Sequence, residues 1–163
     1  MGFEISEKVI ELNARLEAFM VEHIYPREHD WDEFCLNQDN LWKTPLWYDE
    51  LREKAKAEGL WNLFLPKEYE PWSPGLSNVE IAPLFETMSK VTWAQSVFNC
   101  NAPDRGNMEV LAKYGTQEQQ EQWLNPLLAG EIRSAYAMTE PQVASSDATN
   151  MELEIKRDGD LVK

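Results

Sequence analysis

The stretch YAMTEPQVASSDATNM, residues 136–151, decides how the fold of this 163-residue chain is interpreted. It is rich in small hydroxyl side chains, contains one proline, and shows neither the helical nor the strand period of apolar residues. Loops of this composition can bind phosphates or the polar edges of ring systems through N–H and O–H groups. The composition equally supports a plain surface loop between a helix and a strand.

The chain before this stretch is patterned as helices. Apolar side chains recur at helical spacing near the N-terminus, which predicts an amphipathic helix over residues 4–24. Tyr25-Pro26 should end or kink that helix, because the residue before a proline avoids the helical region. The acidic stretch 28–33 should then be a connector. Thr44-Pro45 is expected to start the next helix, with Thr44 as its cap and Pro45 as its first residue, and Gly59 should stop it.

Further helices are predicted between residue 77 and Gly130. Ser77 and Glu80 have the spacing of a capping box, although Pro83 must kink the helix that follows or delay its start. The remaining predicted helices cover residues 92–100, residues 104–114 up to Gly115, and the stretch that Thr116 caps. The helical part of the chain should therefore end near Gly130.

From residue 151 on, the apolar residues follow a different period. Met151, Leu153 and Ile155 alternate with charged residues, which is typical of a half-buried strand. Asp158-Gly159 is a hairpin turn signal, and residues 161–163 should begin the returning strand. We therefore expect the chain to stop inside a β domain, so that the fold is mainly α with the first strands of a second domain.

Composition excludes several classes of function. The net charge is −14, and this negative field disfavours binding to nucleic acid or to an anionic membrane surface. No apolar run is long enough to span a membrane, and the N-terminus has neither a secretion signal nor a transit peptide, so we expect a cytoplasmic protein, with a mitochondrial location left open. Cys35 and Cys100 are far apart in sequence and indicate free thiols rather than a disulfide framework.

Familiar catalytic motifs are absent from the sequence. It has no GxGxxG, no GxxxxGK[ST] and no GxSxG, and the histidines and acids of residues 23–30 lack a metal-binding spacing. We therefore predict no metal site. Most of the tryptophans are expected to lie in the core rather than against a ligand.

The segment YAMTEPQVASSDATNM closely resembles the flavin-binding signature of the acyl-CoA dehydrogenase family, in which an aromatic residue precedes a TEP core and a later Ser-Asp. The preceding APDRGNMEVLAKYGTQEQQEQWLNPLLAGEIRSAYAMTEP resembles the helices that lead into that signature. The sequence VASSDATN, residues 143–150, is similar to that of one branch of the family, whose vertebrate members are fused to a phosphotransferase-like domain. The resemblance covers most of the chain and is most specific over residues 102–150.

The resemblance implies a fold in which an N-terminal helical domain, a middle β-barrel domain and a C-terminal four-helix domain enclose FAD. Residues 1–131 would form the helical domain, and residues 132–163 would start the middle domain. The implied activity, in fatty acid metabolism, is α,β-dehydrogenation of an acyl-CoA thioester, with electron-transferring flavoprotein as electron acceptor and a homodimer or homotetramer at full length. The resemblance places the catalytic base outside these residues, so we expect this chain alone to be inactive.

The resemblance also assigns residues to the cofactor. Tyr136, Met138 and Thr139 should lie along the flavin ring, where backbone N–H groups and the Thr139 hydroxyl would donate to the pyrimidine edge. Ser145 and Ser146 should reach the FAD pyrophosphate, and Ser146 is also the position that contacts acyl-CoA. No catalytic residue is assigned within the chain.

Two acidic residues of the segment are expected to be structural. Asp147 should order the loop by accepting from nearby backbone donors, and Glu140 should brace the loop rather than act as the base. The chain departs from the TEPxAGSD of many members, because TEPQVASSD is one residue longer and lacks the glycine.

Other functions share these features. An acyl-CoA oxidase or a flavin monooxygenase of the same superfamily would carry the same segment and differ in how the reduced flavin meets oxygen. A non-catalytic helical interaction module from a truncated gene is the alternative outside enzymes.

Overall fold

The computed structural model describes residues 5–162, with the side chain of Val162 left aside. Within this range the chain is built from helices and ends in a short hairpin. The helices are α1 (Glu7–Phe19), α2 (Glu28–Leu36), α3 (Leu46–Ala57), α4 (Asn78–Met88), α5 (Ala94–Val97), α6 (Asp104–Tyr114), α7 (Gln117–Gln119) and α8 (Asn125–Ala129). Strands β1 (Arg157–Asp158) and β2 (Leu161–Val162) pair antiparallel. The predicted mainly α fold is confirmed.

Helix α1 follows the predicted apolar pattern. Its buried side chains include Val9, Leu16 and Phe19, which lie on one face at helical spacing. A π-helical turn, Met20–Ile24, and a 3-10 turn, Tyr25–Arg27, continue the chain, so the regular helix is interrupted where the proline was expected to disturb it. Residue 4, the predicted start of the helix, lies outside the described residues.

The prediction of a connector at residues 28–33 is wrong, because this stretch belongs to helix α2. Glu28 and Asp30 occupy the first turn, where negative charge favours a helix N-terminus. The Trp31 ring stacks on Trp93 with ring centroids 5.2 Å apart, which buries aromatic surface against the core. The acidic side chains form the solvent face of a helix whose apolar contact comes from distant residues.

Helix α3 begins one residue later than predicted. Pro45 is the capping residue in an extended conformation, and no side chain caps the helix, so Thr44 does not have the predicted role. The predicted end is confirmed: Gly59 has φ +67°, the Gly59 N–H donates to Lys56 O, and the Leu60 N–H donates to Ala55 O. These two bonds form a Schellman motif that satisfies the last carbonyls.

The capping box of helix α4 is confirmed. The Glu80 carboxylate accepts from the Ser77 backbone N–H at 2.9 Å and from the Ser77 hydroxyl at 2.8 Å. The helix starts directly at Asn78 and passes through Pro83, so the proline does not delay its start. The same carboxylate accepts from the Ser6 hydroxyl at 3.0 Å, which joins the starts of α1 and α4.

The predicted helix at residues 92–100 is shorter than expected and covers only Ala94–Val97. Asn99 adopts φ +56°, which ends the helix. The Asn99 amide donates instead to Leu127 O at 3.0 Å and to Asn62 Oδ1 at 2.7 Å. Contacts with residues distant in sequence therefore override the local helical pattern.

The last two predicted helices have the expected limits. Helix α6 covers Asp104–Tyr114 and closes at Gly115. Thr116 caps α7 in a capping box, a π-helical turn (Gln120–Leu124) leads into α8, and Gly130 ends α8 with φ +72°. The helical part therefore ends at Gly130 as predicted.

The core lies between these helices. Its large, fully buried side chains come from α1, α4, α6, the π-helical turn after α1 and the segments between the helices: Leu16, Phe19, Met20, Ile24, Leu60, Leu63, Leu65, Leu76, Leu84, Met88, Phe98 and Met108. Trp42 departs from the expected burial of tryptophans, since its side chain is 96% exposed. No helix within residues 5–162 is long and apolar enough to cross a membrane.

The predicted half-buried strand at residues 151–156 is wrong, because the described residues of that stretch form no strand and β1 begins only at Arg157. Leu153 and Ile155 are 70% and 76% exposed, so the alternating stretch is not half-buried within the described part of the chain. The hairpin is confirmed: Asp158 pairs with Leu161, and Gly159 has φ +64° in the turn between them. Lys163, the last residue of the predicted returning strand, lies outside the described residues.

Candidate functional site

The end of α8 is capped by side chains from earlier segments. The last carbonyls of a helix have no partner within the helix and need one elsewhere. Asn99 donates to Leu127 O at 3.0 Å, and the Trp61 indole donates to Leu128 O at 2.7 Å. The direction in which the chain leaves the helical part is therefore determined by tertiary contacts.

Gly130 lies at the same point and is closely surrounded. Arg52 Nη2 donates to its carbonyl at 3.1 Å, and the Arg52 guanidinium lies over the Trp61 ring, 5.2 Å from the centroid. A Cβ at Gly130 would come within 2.5 Å of Arg52 Nη2 and 2.7 Å of the Trp61 ring. The left-handed backbone and this close approach both require glycine.

Three residues farther on, the chain is tied to helix α6. Asp104, in the first turn of α6, is 1% exposed. Its Oδ1 accepts from the Ser134 backbone N–H and from the Ser134 hydroxyl, each at 2.7 Å, and its Oδ2 accepts from Arg133 Nε. A buried carboxylate is tolerated when its oxygens are paired in this way.

Asn107, one turn after Asp104, strengthens the attachment. Its amide donates to the Ser134 hydroxyl at 2.9 Å and to Ala135 O at 3.3 Å. Residues at i and i+3 of a helix lie on the same face. One face of α6 thus holds residues 133–135 in place.

The predicted flavin-ring residues follow immediately, in a segment that is neither helix nor strand. Tyr136 is 72% exposed, Thr139 is also exposed, and Met138 is half-buried. Among residues 5–162, no hydrogen bond reaches the backbone N–H groups of residues 136–139. The segment therefore presents a run of donors and one hydroxyl that can bind an acceptor-rich ligand.

The loop after this segment is closed by Glu140 and Ser145. The Glu140 N–H donates to Ser145 Oγ at 2.7 Å, and Ser145 is 6% exposed. The Glu140 carboxylate accepts from the backbone N–H groups of Glu152 at 2.9 Å and Leu153 at 3.2 Å. These contacts agree with the predicted bracing role of Glu140.

Asp147 orders the exposed end of the loop, as predicted. Its carboxylate accepts from the Thr149 hydroxyl at 2.7 Å and from the Thr149 N–H at 3.0 Å. These two hydrogen bonds, the hydroxyl first, lower the pKa of Asp147. The neighbouring Ser146 is exposed, and its hydroxyl has no partner among the described residues.

The five predicted cofactor residues thus occupy different environments. Tyr136, Met138 and Thr139 share the irregular 136–139 segment, Ser146 lies on the exposed loop, and the Ser145 hydroxyl is directed into the loop. A polar cavity of about 430 Å³ beside the loop contains none of these five among its lining residues, which are Val143, Ala144, Thr149, Asn150, Met151 and Glu152. Within the described residues, these five therefore do not line this cavity together.

The attachment of residues 133–135 to α6 was not predicted from the sequence. Asp104 and Ser134 are 30 positions apart, and no local pattern signals their contact. The only available hint is an acidic residue at a helix start, and that feature is common because it favours the helix dipole.

Comparison with known proteins decides the family. The model of the "Acyl-CoA dehydrogenase, N-terminal domain" matches residues 6–131. This chain belongs to the acyl-CoA dehydrogenase family. The expectation drawn from the segment at residues 136–151 is thereby confirmed, and the matched range is the helical part that precedes the segment.

Individual family members are similar over nearly the whole chain. Acyl-CoA dehydrogenase family member 11 of Homo sapiens is 50% identical over 161 residues, which cover 97% of this chain and 20% of that protein. The probable acyl-CoA dehydrogenase FadE2 of Mycobacterium tuberculosis is 49% identical over 161 residues, which cover 98% of this chain and 38% of that protein.

A solved structure from Mycobacterium abscessus, described as a putative acyl-CoA dehydrogenase, aligns with a TM-score of 0.80 and 50% identity. The alignment covers 90% of this chain and 37% of that one. The chain spans between 15% and 38% of the length of the curated acyl-CoA dehydrogenases it matches. The shared part is therefore well under half of those proteins.

Proposed function

We propose that this chain is the N-terminal part of an FAD-dependent acyl-CoA dehydrogenase that forms the α,β double bond of an acyl-CoA thioester. The observation that supports this most strongly is the 136–139 segment, whose backbone donors have no partner within residues 5–162. Family membership supplies the reaction class, and the segment supplies a place for the cofactor.

The proposed division of the chain follows from the same features. Residues 1–131 form the helical domain, and residues 132–163 start the middle β domain. The ends of α8 and of the family match, at Gly130 and residue 131, support this boundary. The antiparallel hairpin of β1 and β2, which follows the exposed apolar side chains of Leu153 and Ile155, supports the start of a β domain after the helical part.

The donor set fits the polar edge of a flavin. When bound, FAD accepts the hydrogen removed from the β carbon of the substrate. The N–H groups of residues 136–139 and the Thr139 hydroxyl would hold the ring by donating hydrogen bonds to it. Donors that are already oriented stabilise negative charge at no cost of reorganisation, which is the contribution of this chain to the chemistry.

The two serines contribute differently. The Ser146 hydroxyl is exposed and unpaired in the described part of the chain, so it is the proposed contact to the FAD pyrophosphate and to acyl-CoA. Ser145 stays in the proposal as a second pyrophosphate contact. Its oxygen already accepts the Glu140 N–H, so its first task is to hold the loop that presents Ser146.

The base is not proposed to be Glu140. Both of its carboxylate oxygens accept backbone N–H groups, from Glu152 and Leu153, and a base must be within reach of the proton it removes. The proposed partners are acyl-CoA as substrate and electron-transferring flavoprotein as acceptor, in a homodimer or homotetramer of the full-length protein.

The proposal is tested by titrating the deflavinated protein, in its natural length, with FAD. We expect stoichiometric binding, and up to about tenfold weaker binding for Thr139→Val, since a hydrogen bond between neutral groups contributes about 0.5–1.5 kcal/mol. Thr44→Val is the matched control, because Thr44 is exposed and lies outside the segment. A protein without flavin affinity would favour a helical interaction module.

Oxygen distinguishes the enzymes of the superfamily. A dehydrogenase reduced by acyl-CoA should react slowly with oxygen and rapidly with an electron carrier. Stoichiometric hydrogen peroxide would indicate an oxidase, and incorporation of oxygen into a product would indicate a monooxygenase.

A further inference from the structure

The buried carboxylate of Asp104 makes contacts that the stability of the helical part does not require. It is 1% exposed, and its carboxylate accepts three hydrogen bonds, all from Arg133 and Ser134. A carboxylate buried this deeply is costly unless paired, and an apolar side chain would fill the same space without that cost. The chain nevertheless places a charge where it holds the two residues just before the exposed segment.

The attachment involves hydrogen bonds in series. The Ser134 hydroxyl donates to Asp104 Oδ1 at 2.7 Å and accepts from the Asn107 amide at 2.9 Å. Because the Asn107 amide also donates to Ala135 O, the backbone is held on both sides of Ser134. We call these four residues, Asp104, Asn107, Arg133 and Ser134, the Asp104 clamp.

The Asp104 clamp is the last fixed point before the proposed flavin contacts. Residues 136–139 make no hydrogen bond within the described range, and the next fixed point is the Glu140 N–H, bonded to Ser145. Only residues 136–139 separate the two anchors, and a segment this short samples fewer positions than a long loop. The positions of its donors are therefore determined by the two anchors.

We propose that Asp104 is a positioning residue for the flavin, which acts by holding residues 133–135 against α6 so that the donors of residues 136–139 point at the ring. This inference rests on the proposed function. Asp104 does not touch the cofactor; it determines where groups that do touch it lie. A misplacement of about 1 Å in a reacting group can cost about a hundredfold in rate, so an anchor at this distance affects catalysis.

The test compares wild-type protein with Asp104→Asn, Ser134→Ala and the control Asp32→Asn, in which an exposed aspartate of α2 is changed. The first readout needs no flavin. Amide exchange at Ser134 and backbone ¹⁵N order parameters of residues 136–139 are measured at matched global stability. We expect exchange about tenfold faster and lower order parameters in both clamp variants, and no change in the control.

The second readout uses the flavin-loaded protein in its natural length. We expect Asp104→Asn to weaken FAD binding about tenfold or more and to shift the flavin reduction potential, while Asp104→Glu restores part of both. A merely structural role would lower the melting temperature without moving the potential. The inference would be overturned if Asp104→Asn kept the wild-type rate of amide exchange at Ser134. It would also be overturned if this variant kept both the wild-type reduction potential and the wild-type FAD affinity.

These experiments distinguish a failure of the proposed function from a failure of the inference about Asp104. If the wild-type protein binds no flavin, the proposed function is wrong, and this role of Asp104 is wrong with it. If the wild-type protein binds flavin and the clamp variants bind it equally well, only the inference about Asp104 is wrong.

Discussion

The Glu140 backbone N–H donates to the Ser145 hydroxyl at 2.7 Å, and this bond closes the loop that follows the proposed flavin-facing segment. Ser145 is 6% exposed and the adjacent Ser146 is exposed. The family resemblance implies that both serines contact a phosphate, whereas in the structure the Ser145 hydroxyl accepts a hydrogen bond inside the loop. The roles of these two adjacent hydroxyls can therefore be distinguished by changing each serine separately.

Ser145→Ala should loosen the loop, and Ser146→Ala should not. Without the Ser145 hydroxyl, the Glu140 N–H loses its acceptor, and an unpaired buried donor costs about 1–3 kcal/mol. Amide exchange at Glu140 should accelerate about tenfold or more in the first variant and stay at the wild-type rate in the second. Equal exchange in the two variants would contradict the assigned hydrogen bond.

Gly130→Ala should destabilise the protein more than Gly59→Ala. Both residues have a left-handed backbone, with φ +72° and +67°, which costs an L-residue about 1–2 kcal/mol. Only at Gly130 would the new Cβ also overlap Arg52 and Trp61, since the nearest atom at Gly59 is 3.7 Å away. Urea unfolding of the two variants measures the difference.

If Gly130→Ala and Gly59→Ala lowered the free energy of unfolding equally, the C-terminal end of α8 would be more loosely packed than the structure indicates. A loss at Gly130 that exceeds the loss at Gly59 by about 1 kcal/mol or more is expected, since overpacking typically costs about 1–3 kcal/mol.

The contribution of Glu80 to stability should disappear in acid. Hydrogen bonds from the Ser77 N–H, the Ser77 hydroxyl and the Ser6 hydroxyl, in that order, lower the pKa of Glu80 from 4.5 to about 2. Because the folded pKa lies below the unfolded pKa, the stabilisation is present above about pH 4.5 and is lost as the pH falls towards 2.

The measurement is the difference in unfolding free energy between wild type and Glu80→Gln from pH 7 to pH 2. The difference should be constant near neutral pH and should shrink between pH 4.5 and 2. Glu86→Gln, on the exposed face of the same helix, is the control. A difference independent of pH would contradict the role of the carboxylate.

The two cysteines should differ in reactivity. Cys35 is exposed, whereas Cys100 is buried, and burial raises the pKa of its thiol to about 12. Since the thiolate is the reactive form, one thiol per chain should react rapidly with a disulfide reagent, and Cys35→Ser should abolish this phase. Rapid labelling of Cys100 in the folded variant would show that the core around it opens readily.

Local signals predicted the helices whose limits depend on nearby residues. The apolar period of α1, the Thr116 cap and the glycines at 59 and 130 act within one or two turns, and each is found as expected. Predictions were wrong where distant contacts decide. Helix α2 packs Trp31 against the distant Trp93, and the left-handed Asn99 that follows α5 donates its side-chain amide to Leu127 O.

The candidate site divides in the same way. The 136–146 stretch could be identified because its hydroxyls and its resemblance lie in one continuous segment. The anchors of that segment could not, since Asp104 reaches Ser134 across 30 positions and the Glu140 carboxylate reaches Glu152 across 12. Such contacts depend on how the helices pack, and the spacing of residues in the sequence does not predict them.

Anaerobic mixing of the flavin-loaded protein, in its natural length, with a series of saturated acyl-CoA thioesters tests the proposed function most directly. The account predicts that at least one thioester bleaches the visible absorption of the oxidised flavin and that an equal amount of trans-2-enoyl-CoA appears. A protein that holds no flavin, or a flavin that stays oxidised with every thioester, would contradict it.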